Sequence, residues 1–213
     1  NTFFYMVGGG YESFVGLGVD RLSAWMQRFG LGSKTGIDLP GEATGFVPSK
    51  NWKEQAKKTA WFVGDTYNLS IGQGDLLVTP LQVAVYTAAI ANGGRLITPH
   101  LMNQPTPPRV TQLADTSVIA TVQAGMRDAV RYGSARALGD LPMPVSGKTG
   151  TAQWRSDRPN HAWFTSFAPS DHPEVVVTVL LEEGVEGSRT AVPVARRILQ
   201  DWWHLRQQRG GKF

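Results

Sequence analysis

Cysteine is missing from all 213 residues, which excludes disulfide staples, a thiol nucleophile and cysteine-held zinc or iron–sulfur centres. Also missing is any apolar run of about 18 residues, the length a helix needs to cross a bilayer, and the first residues lack the charged-then-apolar order of a signal peptide. The expectation is that these residues neither span nor target a membrane. Histidine is scarce: His100, His161, His172 and His204 lie far apart and form no HxxxH or HExxH pattern, so neither a metal nor a cofactor is expected. Charge is sparse too, at 18% of residues, and much of the net +4 comes from Arg196, Arg197, Arg206, Arg209 and Lys212 near the end. No basic stripe interleaves aromatics, which argues for a solvated helix face and tail and against a nucleic-acid partner.

Glycine (24), proline (13) and tryptophan (7) are plentiful, and 41% of side chains are apolar. Such a chain can bury one core, or two lobes sharing a cleft, and its loops suit an enzyme better than a helical bundle. It starts without Met at Asn1-Thr2-Phe3-Phe4-Tyr5, apolar and helix-like, as the interior of a domain whose start lies elsewhere would.

Leu17, Leu22, Trp25, Met26 and Phe29 at helical spacing, with Gly30 as a stop, predict a helix over 17–29. Residues 30–50 are rich in turn formers and predict a long structured loop. Thr79-Pro80 opens a helix with an N-cap and a first-turn proline, placing Leu81, Ala84, Val85 and Ala88 on one face before Gly93-Gly94. Another helix is expected over about 115–130, with Val118, Ile119, Val122, Met126 and Val130 inward. From Pro142 on the pattern changes: 145–154, 162–167 and 175–181 are short β-rich runs, expected to form an antiparallel meander. Ala191, Val194, Ile198, Leu199, Trp202 and Leu205 then mark an amphipathic helix suited to covering one face of that sheet, with Pro193 near its first turn. The fold class expected is α+β, with a mainly helical part over about 1–93 and a sheet-containing part over about 94–213.

One segment combines the residue types of a site. In Ser146-Gly147-Lys148-Thr149-Gly150-Thr151, the glycines permit close approach of backbone or ligand. Lys148 brings a positive charge, and Thr149 and Thr151 share one face of an extended strand. Such an edge can bind a carboxylate, pair with an added peptide strand or polarise its carbonyl. A strand edge guarded by lysine is the plain structural alternative. Lys34-Thr35-Gly36 repeats the tripeptide inside a Gly-rich loop with no β run around it, so context must decide between the copies. A nucleotide-binding P-loop needs glycine at 142, which is Pro, and a helix where Ala152-Gln153-Trp154 continues as strand. Glu182-Glu183 would point to opposite faces of a strand and makes a poor acid/base pair. Trp154 suits either a substrate groove or plain packing.

SGKTGTAQW resembles the third active-site motif of penicillin-binding proteins and serine β-lactamases. Asn1-Thr2-Phe3-Phe4-Tyr5 looks like the family's SxN motif from its third position onward; Ser49-Lys50-Asn51 is a weaker rival without the Thr-Phe-Phe sequel. Phe29-Gly30-Leu31-Gly32 with Thr35-Gly36-Ile37-Asp38-Leu39-Pro40-Gly41-Glu42, Ser70-Ile71-Gly72-Gln73-Gly74 with Val78-Thr79-Pro80-Leu81-Gln82, and His161-Ala162-Trp163-Phe164 with Phe167-Ala168-Pro169 look like segments of class B, monofunctional transpeptidases. The resemblance spans nearly the whole chain. One part is absent: no serine here has lysine three positions later, so the family's SxxK nucleophile is expected outside these residues.

The resemblance implies a peptidoglycan D,D-transpeptidase that works through an acyl-serine and accepts β-lactams as mimics of its peptide. Lys148 would set the electrostatics beside the nucleophile, and Thr149 and Thr151 would bind the terminal carboxylate. The Thr151 N–H would be one oxyanion donor, and Asn1 would orient the catalytic lysine. Ser146, Gly147 and Gly150 complete the substrate-binding strand. Implied partners are peptidoglycan stem peptides, β-lactam antibiotics, the upstream remainder of the transpeptidase domain and a glycan polymerase. The implied location is the outer face of the inner membrane in the cell envelope, anchored by an upstream segment. A β-lactam-binding sensor and a serine β-lactamase are the alternatives; nothing resembles the β-lactamase deacylating loop.

Overall fold

The computed structural model describes residues 1–102 and 110–211; Lys212 of the basic tail lies outside them. The fold is α+β, with seven α-helices and two small antiparallel sheets among the described residues. The chain forms two units, Asn1–Gln82 with Pro99–Thr106, and Val83–Thr98 with Pro107–Phe213.

The first unit is helical: α1 (Thr2–Gly9), α2 (Gly18–Arg28), α3 (Lys50–Lys57) and α4 (Val63–Ser70). Helices α1 and α4 pack closely because Gly8 and Gly9 carry no Cβ, which would stand 2.4 Å from Ser70 Cβ and 2.2 Å from Tyr67 Cε1. In α2 the face turned inward is Val19, Leu22, Ser23 and Met26, while Trp25 and Leu17 are exposed. Ser49 starts α3 by accepting the Trp52 N–H at 3.2 Å. Lys53 on α3 is buried and donates to Asp65 of α4 at 2.5 Å. Asp65 also accepts the Phe62 N–H at 2.7 Å.

The predicted long loop is present between α2 and α3, and three side chains hold it. Glu42 accepts the Thr35 N–H at 2.7 Å, the Thr35 hydroxyl at 2.5 Å and the Gly36 N–H at 3.2 Å. Burial would raise the Glu42 pKa, but these hydrogen bonds and the Lys34 charge together hold it below the usual carboxylate value. Asp38 accepts the N–H groups of Leu101 and Met102 at 2.7 and 2.8 Å. Gln82, 1% exposed, donates to the carbonyls of Ser33 and Thr44, both at 2.8 Å. The same side chain closes a capping box: Thr79 Oγ1 accepts the Gln82 N–H at 3.1 Å, and Gln82 Oε1 accepts the Thr79 N–H at 2.9 Å. Thr79-Pro80-Leu81-Gln82 therefore both starts α5 (Pro80–Ala91) and latches the loop.

Helix α5 passes from the first unit into the second. Its burial differs from the one-faced expectation: Gln82, Val83, Thr87, Ala89 and Ala91 are the buried positions, and Leu81, Ala84, Val85 and Ala88 are half-buried. A helix apolar almost all round is covered on several sides. Strands β1 (Arg95–Ile97) and β2 (Val110–Gln112) pair antiparallel, and α6 (Thr116–Arg131) follows.

The meander β3 (Ser146–Ala152), β4 (His161–Ala168) and β5 (Val175–Leu181) lies within a residue or two of the expected runs. Ala162, Phe164 and Ala168 of β4 and Val177 and Val179 of β5 form one core with Val192, Ala195 and Leu199 of α7 (Val192–Gln208). Phe164 and Leu199 are fully buried, each worth roughly 2–3 kcal/mol in burial alone. Phe167 faces the other way and packs with Ala91 of α5 and Met126 of α6. No helix among the described residues is long and apolar enough to cross a membrane.

Two expected helix faces are corrected. On α6, Ile119, Met126 and Val130 are buried, but Val118 and Val122 are 55% and 41% exposed. On α7 the buried stripe is Val192, Ala195 and Leu199, whereas Val194, Ile198 and Leu205 are 40% to 48% exposed. Periodicity gives several overlapping stripes on an apolar helix, and the packing surface selects among them.

Candidate active site on the β3 edge

Strand β3 is the terminal strand of its sheet, with β4 alone beside it among the described residues. Its register pairs Ser146 with Phe167, Gly147 with Ser166, Lys148 with Thr165, Thr149 with Phe164, Gly150 with Trp163 and Thr151 with Ala162. Directly paired residues share a face. Lys148 therefore stands on the same side as Thr165, whose hydroxyl joins Thr87 of α5 at 2.9 Å and Thr178 of β5 at 2.8 Å. Thr149 and Thr151 stand on the opposite side, that of Phe164 and Ala162. A ligand along the open edge meets an ammonium from one side and two hydroxyls from the other.

The Lys148 ammonium donates to the Thr149 carbonyl at 2.5 Å. Its side chain reaches solvent, yet surrounding protein removes enough water to push its pKa below the usual lysine value. The Thr149 hydroxyl lies 2.6 Å from Ser134 Oγ. Ser134 sits in the turn between α6 and the 3₁₀ turn Arg136–Leu138, and nothing in its spacing links it to position 149. Sequence reasoning missed it; the only local hint was a polar Gly133-Ser134 step just after a helix end.

The first two residues of the motif are structural. Ser146 is 1% exposed and its hydroxyl pairs with Ser170 at 2.8 Å, so it faces core and not solvent. At Gly147 an added Cβ would stand 2.6 Å from Phe164 Cζ. The close approach that this glycine permits is made by a core ring. Near Gly150 the close neighbour is Gly187 of the π-helical turn Gly187–Ala191, where a Cβ would lie 2.5 Å from the Gly150 carbonyl oxygen.

Beyond the strand, Trp154 stacks on His161 with ring centres 5.2 Å apart and donates to the Pro159 carbonyl at 3.1 Å, while 46% exposed. Glu183 has positive φ and donates its N–H to His161 Nδ1, so Glu182-Glu183 is a strand-end turn. Asn1 belongs to the first unit; its side chain is exposed and makes no cap hydrogen bond, and its carbonyl accepts the Tyr5 N–H at 3.1 Å. The tripeptide copy Lys34-Thr35-Gly36 is engaged internally, its Thr and Gly donors closed on the Glu42 carboxylate.

An edge strand with an ammonium, two threonine hydroxyls and a glycine between them, in a meander backed by a C-terminal helix, agrees with the KTG-type strand that the sequence resembles. The chain belongs to the penicillin binding protein transpeptidase domain family, whose model matches residues 1–200. It is 35% identical over 241 residues to the peptidoglycan D,D-transpeptidase MrdA of Haemophilus influenzae, covering all of this chain and 36% of that protein. It thus spans about a third of the length of the curated relatives it matches. Among solved structures, Pseudomonas aeruginosa PBP2 in complex with WCK 5153 superimposes with a TM-score of 0.82 at 38% identity, over 94% of this chain and 46% of that one. A structure described as structural coordination of polymerization and crosslinking by a peptidoglycan synthase complex gives a TM-score of 0.79 at 37% identity, over 87% of this chain and 33% of that one.

Proposed function

We propose that this chain is the C-terminal portion of the transpeptidase domain of a class B penicillin-binding protein, a D,D-transpeptidase that crosslinks peptidoglycan in the cell envelope. The observation that carries the reading is the family match over residues 1–200 with Lys148-Thr149-Gly150-Thr151 on an open strand edge. Relatives named D,D-transpeptidase support the reaction.

In the proposed reaction a serine of an SxxK segment outside these residues attacks the penultimate D-alanine carbonyl of a stem peptide. The terminal D-alanine leaves with a proton, and an amine of a second stem peptide takes the acyl group and frees the serine. Lys148 supplies positive potential beside the nucleophile and the terminal carboxylate. Thr149 donates to that carboxylate, and Gly150 and Thr151 form the wall where the carbonyl is held and its oxyanion develops. Asn1 orients the lysine of SxxK and the substrate amide. Ser146 and Gly147 seat the strand on β4. β-Lactams enter as mimics of the D-Ala-D-Ala end, and a glycan polymerase works beside the enzyme, as the synthase-complex relative suggests. An upstream segment anchors the whole protein at the outer face of the inner membrane.

The test is labelled penicillin with purified proteins. The full-length protein is expected to hold one stable covalent label and to transfer a donor peptide to an acceptor amine, and residues 1–213 alone to take up none. Rapid turnover of the label would reassign the protein as a β-lactamase, and stable labelling without peptide transfer as a sensor. Labelling of residues 1–213 alone would overturn the external nucleophile.

A further inference from the structure

We propose that Ser134 is a positioning residue for carboxylate recognition: its hydroxyl donates to Thr149 Oγ1 and so commits the single Thr149 proton to the ligand carboxylate. The inference rests on the transpeptidase reading and concerns a residue outside the strand motif.

A hydroxyl has one proton to give and two lone pairs to accept with, and an ionised carboxylate only accepts. For Thr149 to bind a carboxylate its proton must point to the ligand. The Ser134 and Thr149 oxygens are 2.6 Å apart, close enough that one of them donates to the other. If Thr149 donated, its proton would be taken. With Ser134 as donor, Thr149 faces the ligand ready to give, and its polarised O–H becomes a better donor. Ser134 can fill this role because it is exposed, so water satisfies its own lone pairs.

Its place is fixed by its neighbours. Ala135 is fully buried and its N–H donates to the Ala129 carbonyl at 3.0 Å. Leu138, two residues past Arg136, is 1% exposed. Gly133 lies against the last turns of α6, where a Cβ would stand 2.9 Å from Ala129 Cα. The buried Ala135 and Leu138 after it and the close approach of Gly133 to Ala129 before it hold the exposed hydroxyl against β3. Such pre-organisation is what a donor aimed at a ligand group requires.

The experiment uses the full-length protein with Ser134→Ala and Ser134→Thr, and measures second-order acylation by a labelled penicillin and by the same penicillin as its methyl ester. The acid-to-ester ratio within one preparation is independent of the fraction folded. Ser134→Ala is expected to lower that ratio roughly three- to tenfold, the worth of one hydrogen bond, and Ser134→Thr to restore it. In a Thr149→Ala background Ser134→Ala is expected to change nothing further. An unchanged ratio in Ser134→Ala, or an equal fall for acid and ester, overturns the inference and leaves the transpeptidase reading standing. A parent protein that takes up no label overturns that reading, and this inference with it.

Discussion

Gly147 lies directly beneath the ring of Phe164, so that a Cβ at 147 would stand 2.6 Å from Phe164 Cζ and 3.0 Å from the Thr165 carbonyl oxygen. The first glycine of the motif is thus a packing residue for the sheet, and the candidate site edge inherits its position from the core. Gly147→Ala must lift β3 off β4 or displace a fully buried ring, an overpacking cost of about 1–3 kcal/mol. Faster amide hydrogen exchange over β3 and β4 in the full-length protein is expected, with a loss of penicillin acylation. Phe164→Leu added to Gly147→Ala should recover part of both; no recovery would show that the ring is not the obstacle.

Lys148 carries a pH signature. Desolvation pushes its pKa below the usual 10.5, so the unfolded chain binds this proton more tightly than the native protein. The group therefore opposes folding at neutral pH, and the penalty fades as pH rises from the native pKa to the unfolded value. On the proposed function the sign is reversed: an ammonium that holds a carboxylate does so until it deprotonates. Acylation by a carboxylate-bearing penicillin, followed from about pH 6 to about pH 10, should fall on the alkaline side at a pH below the ordinary lysine value. Lys148→Arg should remove that limb, because guanidinium keeps its charge throughout. Superimposable profiles for the two proteins would place the limb elsewhere.

Asp65 stabilises the helical unit through its partners. Burial alone would raise its pKa, but the hydrogen bonds from Lys53 and the Phe62 N–H and the charges of Lys53 and Lys57 bring it below the usual 3.8. A depressed carboxylate contributes stability above its unfolded pKa and loses it as pH falls through the native one. Asp65→Asn is expected to cost about 2 kcal/mol locally, since it leaves the buried Lys53 without its charged partner. Hydrogen exchange over residues 62–70 reads this. The gap between parent and variant should be constant near neutrality and close below pH 3.8. A gap independent of pH would mean that the carboxylate charge contributes nothing.

Much of the architecture could be read from the residues alone because it depends on near neighbours. The three β runs, the Thr79-Pro80 start of α5, the helix over 116–131 and the long loop after Gly30 are local in origin: propensity, caps and turn residues act within a few positions. Helices α3 and α4 were less legible, having eight residues each and no long apolar stripe. The order of the family segments also lies in the sequence, and it distinguished Lys148-Thr149-Gly150 from its copy at Lys34.

Tertiary structure decided what depends on distant partners. Which stripe of α6 and α7 is buried follows from the sheet they lie on, so Val118 and Ile198 face solvent although their spacing allowed either outcome. Gln82 latches Ser33 and Thr44 across 49 and 38 residues, and Ser134 reaches Thr149 across 15, contacts that no local pattern encodes. Ser146, read as a binding residue, proved to be buried because the register turns it toward Phe167 and Ser170. Side-chain chemistry is written in the sequence; which groups end up within 3 Å of one another is set by how the elements pack.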